Sequence, residues 1–175
     1  MDYLLNSFLI LKDYIPDQSH PVVFASRRLS AKIESTYSHW ASEEVLACSV
    51  LFNLFNLINN KEKEKLLVLA SDYCGEETSI MLNSISEDYR YTNHYRYLLK
   101  LKNTSKKAYI VKLAAEIDRL ETLNIFNLDI KTFLTSIEHA IDYYDLGCSK
   151  GLIAESNLLL DRIIKSQELV HLIKV

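Results

Sequence analysis

Five histidines and three cysteines are the side chains of this 175-residue chain with the plainest potential for metal or nucleophile chemistry. His20, His39, His94, His139 and His171 are scattered, with no H-x3-H pair. Metal sites need clustered ligands, so each histidine taken alone reads as a surface or hydrogen-bonded side chain. Cys48, Cys74 and Cys148 are odd in number and contain no CxxC, which favours reduced thiols packed in helices over a disulfide framework. Glu138, Asp142 and Asp145 form an acidic helix face, the ordinary make-up of solvated surface. Tyr89, Tyr91, Tyr95 and Tyr97 alternate with Arg90 and Arg96, a set that could stack a base and hold a phosphate. Rings packed on a bundle are the alternative. Phosphate-cradling glycine loops and the G-x-S-x-G elbow are absent.

Any such chemistry must be positioned by helices. Only 3 Gly and 2 Pro interrupt the chain, so breaks are few. Apolar spacing predicts helices over 2–13, 21–33, 42–59, 61–72, 76–86, 94–102, 105–123, 129–146 and 152–173. Pro21 suits a first helical position, and Ser42 reads as an N-cap followed by Glu43 and Glu44. The 42–59 segment is apolar nearly all round and should be the central helix. Gly147 and Gly151 should bracket a break, and a closing helix should bury Leu152, Ile153, Leu159, Ile163, Leu169 and Leu172. The fold class is all-α, one domain over residues 1–175, in which 126–175 supply C-terminal helices packed on the rest.

Composition narrows function further. A net charge of -3 argues against an electrostatic nucleic-acid binder. No run approaches the roughly 18 apolar residues of a membrane helix. Met1-Asp2-Tyr3 lacks the basic start of a signal peptide. A cytoplasmic location is expected, with neither nucleic acid nor membrane as partner.

Four blocks then occur in order. They are His20-Pro21-Val22-Val23-Phe24-Ala25, Val50-Leu51-Phe52-Asn53-Leu54-Phe55-Asn56, Tyr73-Cys74-Gly75-Glu76-Glu77-Thr78, and the long run from Ala108 through Lys112, Ala115 and Arg119 to Leu123. Over residues 15–125 this series resembles the HD-type hydrolase domain of the RelA/SpoT family, in particular the small stand-alone enzymes that remove the 3′-pyrophosphate of (p)ppGpp. The family shows H-P-x-x-V-A, A-L-L-H-D-V-V-E-D, F-G-x-x-V and V-x-L-V-K-L-A-D-R-L-H-N-x-R-T-L at these places. The resemblance implies an HD-type helical bundle. A second likeness, of Pro21–Ser30 to a ribonuclease H strand, finds neither the carboxylates nor the alternating strands it needs downstream.

The family's chemistry uses a divalent metal, Mn²⁺, held by an upstream His, an adjacent His-Asp pair and a later Asp. Carried onto this chain, only His20 survives of the ligand set, and a single ligand makes it a leftover helix-start residue rather than a working ligand. The His-Asp pair is Phe52-Asn53, the late Asp is Ala115, and the water-positioning Glu-Asp is Asn56-Leu57. Three of four ligands are missing, so no metal cofactor is expected. Phe52 and Ala115 should turn a polar metal cavity into apolar core. Lys112 and Thr122 match the family's nucleotide-binding stretch and Arg119 replaces its Asn, which leaves Lys112, Arg119 and Thr122 as the candidate nucleotide contacts. The expectation is a degenerate, catalytically inactive hydrolase-like domain that acts by binding a guanosine polyphosphate or a protein partner. An active metal-dependent hydrolase with a rearranged site and a purely protein-interacting helical module are the alternatives.

Overall fold

Capping side chains set where the helices begin. Asp2, Asn59, Asn93 and Ser105 each accept a backbone N–H in the first turn of α1 (Tyr3–Tyr14), α4 (Asn60–Cys74), α6 (His94–Lys102) and α7 (Lys106–Thr122). Each satisfies a donor that a helix start otherwise leaves open. His20 does the same for α2 (Pro21–Thr36), with Nδ1 accepting the Val22 N–H at 3.2 Å. The other helices are α3 (Glu43–Leu57), α5 (Glu76–Ile85), α8 (Ile130–Ser149) and α9 (Ile153–Ile173). The computed structural model describes residues 2–86, 93–123 and 130–173, without the side chains of 171–173. Among them there are nine α-helices, a 3-10 turn at Ser38–Trp40 and no strand. The all-α fold read from the sequence is the observed one.

Two helices form the centre. On α3, every residue from Val45 to Phe52 is buried. It packs against α1, α2, α4, α5 and α7. On α7, the run Ala108–Ala114 is buried without interruption, and α2, α3, α5, α8 and α9 surround it. At roughly 1.5–3 kcal/mol for each large apolar side chain, these two helices carry a large share of the hydrophobic driving force. Cys48 and Cys74 lie inside as small apolar groups, and burial raises both thiols, that of Cys74 up to about 11.

Several expectations need correction. The second helix does not stop at Ile33: α2 runs to Thr36, and Tyr37 caps it by donating its N–H to the Ile33 carbonyl. Ser42 stands at the N-cap of α3 but makes no side-chain cap bond. On α9 the buried stripe is Leu159, Ile163 and Val170, while Ile153 and Leu169 face water. Leu172 lies outside the described side chains.

Gly147 does not break its helix. α8 continues to Ser149, and the turn is made by Gly151, whose φ of +74° lets the Leu152 N–H reach the Gly147 carbonyl at 3.0 Å. Gly147 is needed for close approach instead. A Cβ there would sit 2.1 Å from Ser156 Oγ and 3.3 Å from Tyr109 Cε1. We therefore expect Gly147→Ala to destabilise the protein by about 1–3 kcal/mol despite alanine's better helix propensity. Adding Ser156→Ala should recover most of the loss in urea unfolding. A stabilised single variant would refute the packing role.

Candidate functional site

Where α2, α3 and α7 meet, they leave a cavity of about 300 Å³. α2 contributes Ala25 and Arg28. α3 contributes Phe52, Asn53 and Asn56. α7 contributes Lys112, Ala115, Glu116, Asp118, Arg119 and Thr122. The residues of each helix recur at intervals of three and four, so each set lies on one helical face. Phe52, Asn53, Asn56, Lys112, Ala115, Arg119 and Thr122, drawn from two blocks far apart in sequence, thus share one cavity. His20 is not part of its wall. Its ring nitrogen is occupied as the cap of α2, more than one turn before Ala25.

Three groups in the wall were missed from the sequence: Arg28, Glu116 and Asp118. The helical periodicity held the signal, since Arg28 follows Ala25 by one turn and Glu116 follows Lys112 by one turn. Glu116 is 4% exposed yet stays ionised. Burial pushes its carboxyl up, but Lys112 and Arg119 outweigh that and hold it below the usual carboxylate range. Lys112 Nζ lies 2.7 Å from Oε1, and Arg119 Nε donates to Oε2 at 2.7 Å. Arg119 also donates to the Ser136 carbonyl of α8 at 3.2 Å. Across the cavity Arg28 grips Asp118 with two hydrogen bonds of 2.6 and 2.9 Å. The wall therefore holds three cations against two carboxylates.

Behind Lys112 stands an aromatic wall. Its ammonium lies 5.1 Å from the Tyr97 ring centroid and 4.5 Å from that of Tyr143, within cation–π range. Tyr97 is fixed by donating its hydroxyl proton to the Ile85 carbonyl at 2.6 Å. Tyr95, two residues earlier, is exposed. The described part of the tyrosine cluster is thus split between core and solvent, and Tyr89, Arg90 and Tyr91 lie outside the described residues. The ring of His94 meets the edge of Tyr143 and stacks on His139, with centroids 3.7 Å apart. His94 Nε2 is 2.9 Å from Asp142 Oδ2. Burial first, then His94 and Arg119, lower the pKa of His139 against the opposing pull of Glu116 and Asp142. Glu138 and Asp145 are exposed, as their solvated reading anticipates. His39 pairs with Glu155 at the start of α9. The side chain of His171 is outside those described.

The donors present do not fit the metal that the resemblance implies. Of the cavity's oxygen ligands, both carboxylates are committed to cations, and Asn53 and Asn56 are neutral amides. Among the described residues, no group of three or more His, Cys, Asp or Glu side chains could hold a metal ion. Nor do Phe52 and Ala115 fill the space with apolar core. Phe52 is buried, but a polar opening remains between it and α7. What the arrangement offers chemically is a set of cationic and amide donors able to bind an anion.

No model of a known protein family matches the chain, and no curated protein matches it significantly. Among the described residues, no helix is long and apolar enough to cross a membrane.

Two outcomes test this electrostatic reading. Glu116→Gln removes the carboxylate that both cations share and should cost ~3–5 kcal/mol in chemical unfolding, as breaking a buried ion pair does. Lys112→Met leaves the Glu116–Arg119 pair intact and should cost less than half as much. The reverse order would refute Glu116 as the hub. For His139, the fold disfavours a proton that the unfolded chain accepts near pH 6.5, so stability is full above that pH and declines as pH falls below it. His139→Gln should flatten Tm against pH in that window. A variant as pH-sensitive as the parent would contradict the assignment.

Proposed function

We propose that this chain is a degenerate relative of the RelA/SpoT-type HD hydrolases that binds a guanosine polyphosphate in the α2–α3–α7 cavity without cleaving it. One observation carries the reading: seven residues singled out by the resemblance line a single cavity, although α3 and α7 are some sixty residues apart. Arg28 and Arg119 are partly exposed at the cavity, with side-chain exposures of 46% and 35%. They can turn from carboxylate to phosphate oxygens, a geometry their planar guanidinium groups suit. Asn53 and Asn56 add amide donors. Phe52, Asn53 and Ala115 stand where the family would place metal ligands, so the step of water activation has no residues to support it. A cytoplasmic setting belongs to the same proposal.

A second reading has its own support. Each of the three cations already has a carboxylate partner, so the cavity can persist with no ligand, as the interior of a protein-interaction module would.

Isothermal titration of metal-stripped protein with Mn²⁺ and with ppGpp, followed by product analysis, separates these readings. The expected result is ppGpp binding without metal and no release of pyrophosphate. Arg119→Gln should weaken that binding roughly ten- to a hundredfold, the range for hydrogen bonds to charged groups. Metal-stimulated pyrophosphate release would establish an active hydrolase instead. Absence of ppGpp binding would leave the interaction module.

A further inference from the structure

A second opening, independent of the α2–α3–α7 cavity, runs between α1 and α2. Both helices pack extensively on α3, but not on each other to a comparable degree. The furrow between them has a volume of about 420 Å³ and is lined by Phe8, Leu9, Leu11, Lys12, Gln18, Val23 and Arg27. Leu11 and Val23 are each 1% exposed and belong to the main core, so the furrow has a rigid apolar floor.

Its lips are apolar as well. Leu9 on one wall is 51% exposed, and Leu5, one turn earlier on the same ridge, is 54% exposed. Phe24, beside Val23, is 51% exposed. A small molecule lying in the furrow would touch Leu9 but leave Leu5 and Phe24, which are not part of its lining, in water. An elongated occupant, laid along the ridge, would cover them.

The charge at the rim has one sign. Lys12 and Arg27 are the only charged residues of the lining, and Gln18 holds Arg27 in place by accepting from Nη2 at 2.7 Å. This occurs on a chain with a net charge of -3, so the local excess is a feature of the furrow and not of overall composition. An apolar floor with a purely cationic rim is complementary to an apolar segment flanked by carboxylates. Apolar anchors one turn apart and seated in a groove are how amphipathic helices are recognised.

We propose that the α1–α2 furrow is a docking site for an acidic amphipathic helix of a partner protein, with apolar anchors over Leu11 and Val23 and carboxylates at Lys12 and Arg27. The test uses designed peptides of about four helical turns, with leucines at i, i+3 and i+7 and either Glu or Lys at the flanking positions. Binding is followed by fluorescence anisotropy against the full chain. The Glu peptide should bind at least about tenfold more tightly than the Lys peptide, and more weakly as salt rises. A Lys12→Glu/Arg27→Glu double variant should invert that preference. Leu9→Gln, at a half-exposed position that leaves the core intact, should weaken binding at least about fivefold. Equal binding of the two peptides, or none at about 1 mM, overturns the proposal. So does either of two other occupants. One is self-association abolished by Leu9→Gln, which would make the furrow an interface between copies. The other is a simple alkyl carboxylate that binds the furrow while the peptides do not.

Discussion

Glu116 carries a full negative charge where almost no water reaches, and it can do so only because Lys112 lies one turn before it and Arg119 one turn after it. The three belong to one helix, so their relative placement is set by α-helical geometry and needs no tertiary adjustment. Much else is arranged around that constraint. The ammonium of Lys112 must have a polarisable neighbour on its far side, and Tyr97 and Tyr143 supply it from α6 and α8. Tyr97 in turn is tied to the last turn of α5, and Arg119 is tied to α8. A charge on α7 thereby fixes how three other helices meet it. Ion pairs of this kind rarely add stability over an apolar core, but they leave little freedom in how the surrounding helices are registered.

The same network accounts for a polar cavity between α2, α3 and α7. A buried cavity lined by unpaired carboxylates would be costly. Here the carboxylates facing the cavity are matched within the protein, Glu116 by Lys112 and Arg119, and Asp118 by Arg28. Helices α2 and α7 are joined by that Arg28–Asp118 contact and by the Lys32–Glu121 pair one turn further on. The cavity is held open by cross-links along its wall rather than by an ion at its centre.

Much of this was legible in the sequence, and the failures have a common cause. Helix positions came through because apolar periodicity and the scarcity of Gly and Pro are local signals. That Phe52, Asn53 and Asn56 should lie near Lys112, Ala115, Arg119 and Thr122 was implied by the resemblance of the blocks, not by any local signal in this sequence. Arg28 and Asp118 were missed as a pair because their contact spans 90 residues, and nothing in either neighbourhood announces the other. His20 was legible as a helix-start residue, and it caps α2; that it lies outside the cavity wall was not, because a histidine before a proline has the same local sequence whether it serves as ligand or as cap. Gly147 misled for a related reason. A helical glycine signals either a stop or a close neighbour, and the neighbour, Ser156, belongs to the next helix. Family models and curated sequences add no constraint on the site, so its reading rests on the cavity and on the resemblance of the four blocks.

The helical pair α8–α9, joined by a short connection, packs on α7. Tyr109 on α7 buries its hydroxyl by donating to the Tyr143 carbonyl on α8 at 2.6 Å. During synthesis, every nascent chain therefore passes through a stage in which α1 to α7 have emerged while the flank of α7 that carries Tyr109 has no cover from α8. That apolar flank stays uncovered until α8 and α9 have followed α7 out of the ribosome. Order of translation, as well as the final packing, places a demand on this sequence: the earlier helices must hold α7 in position before the pair that buries it exists.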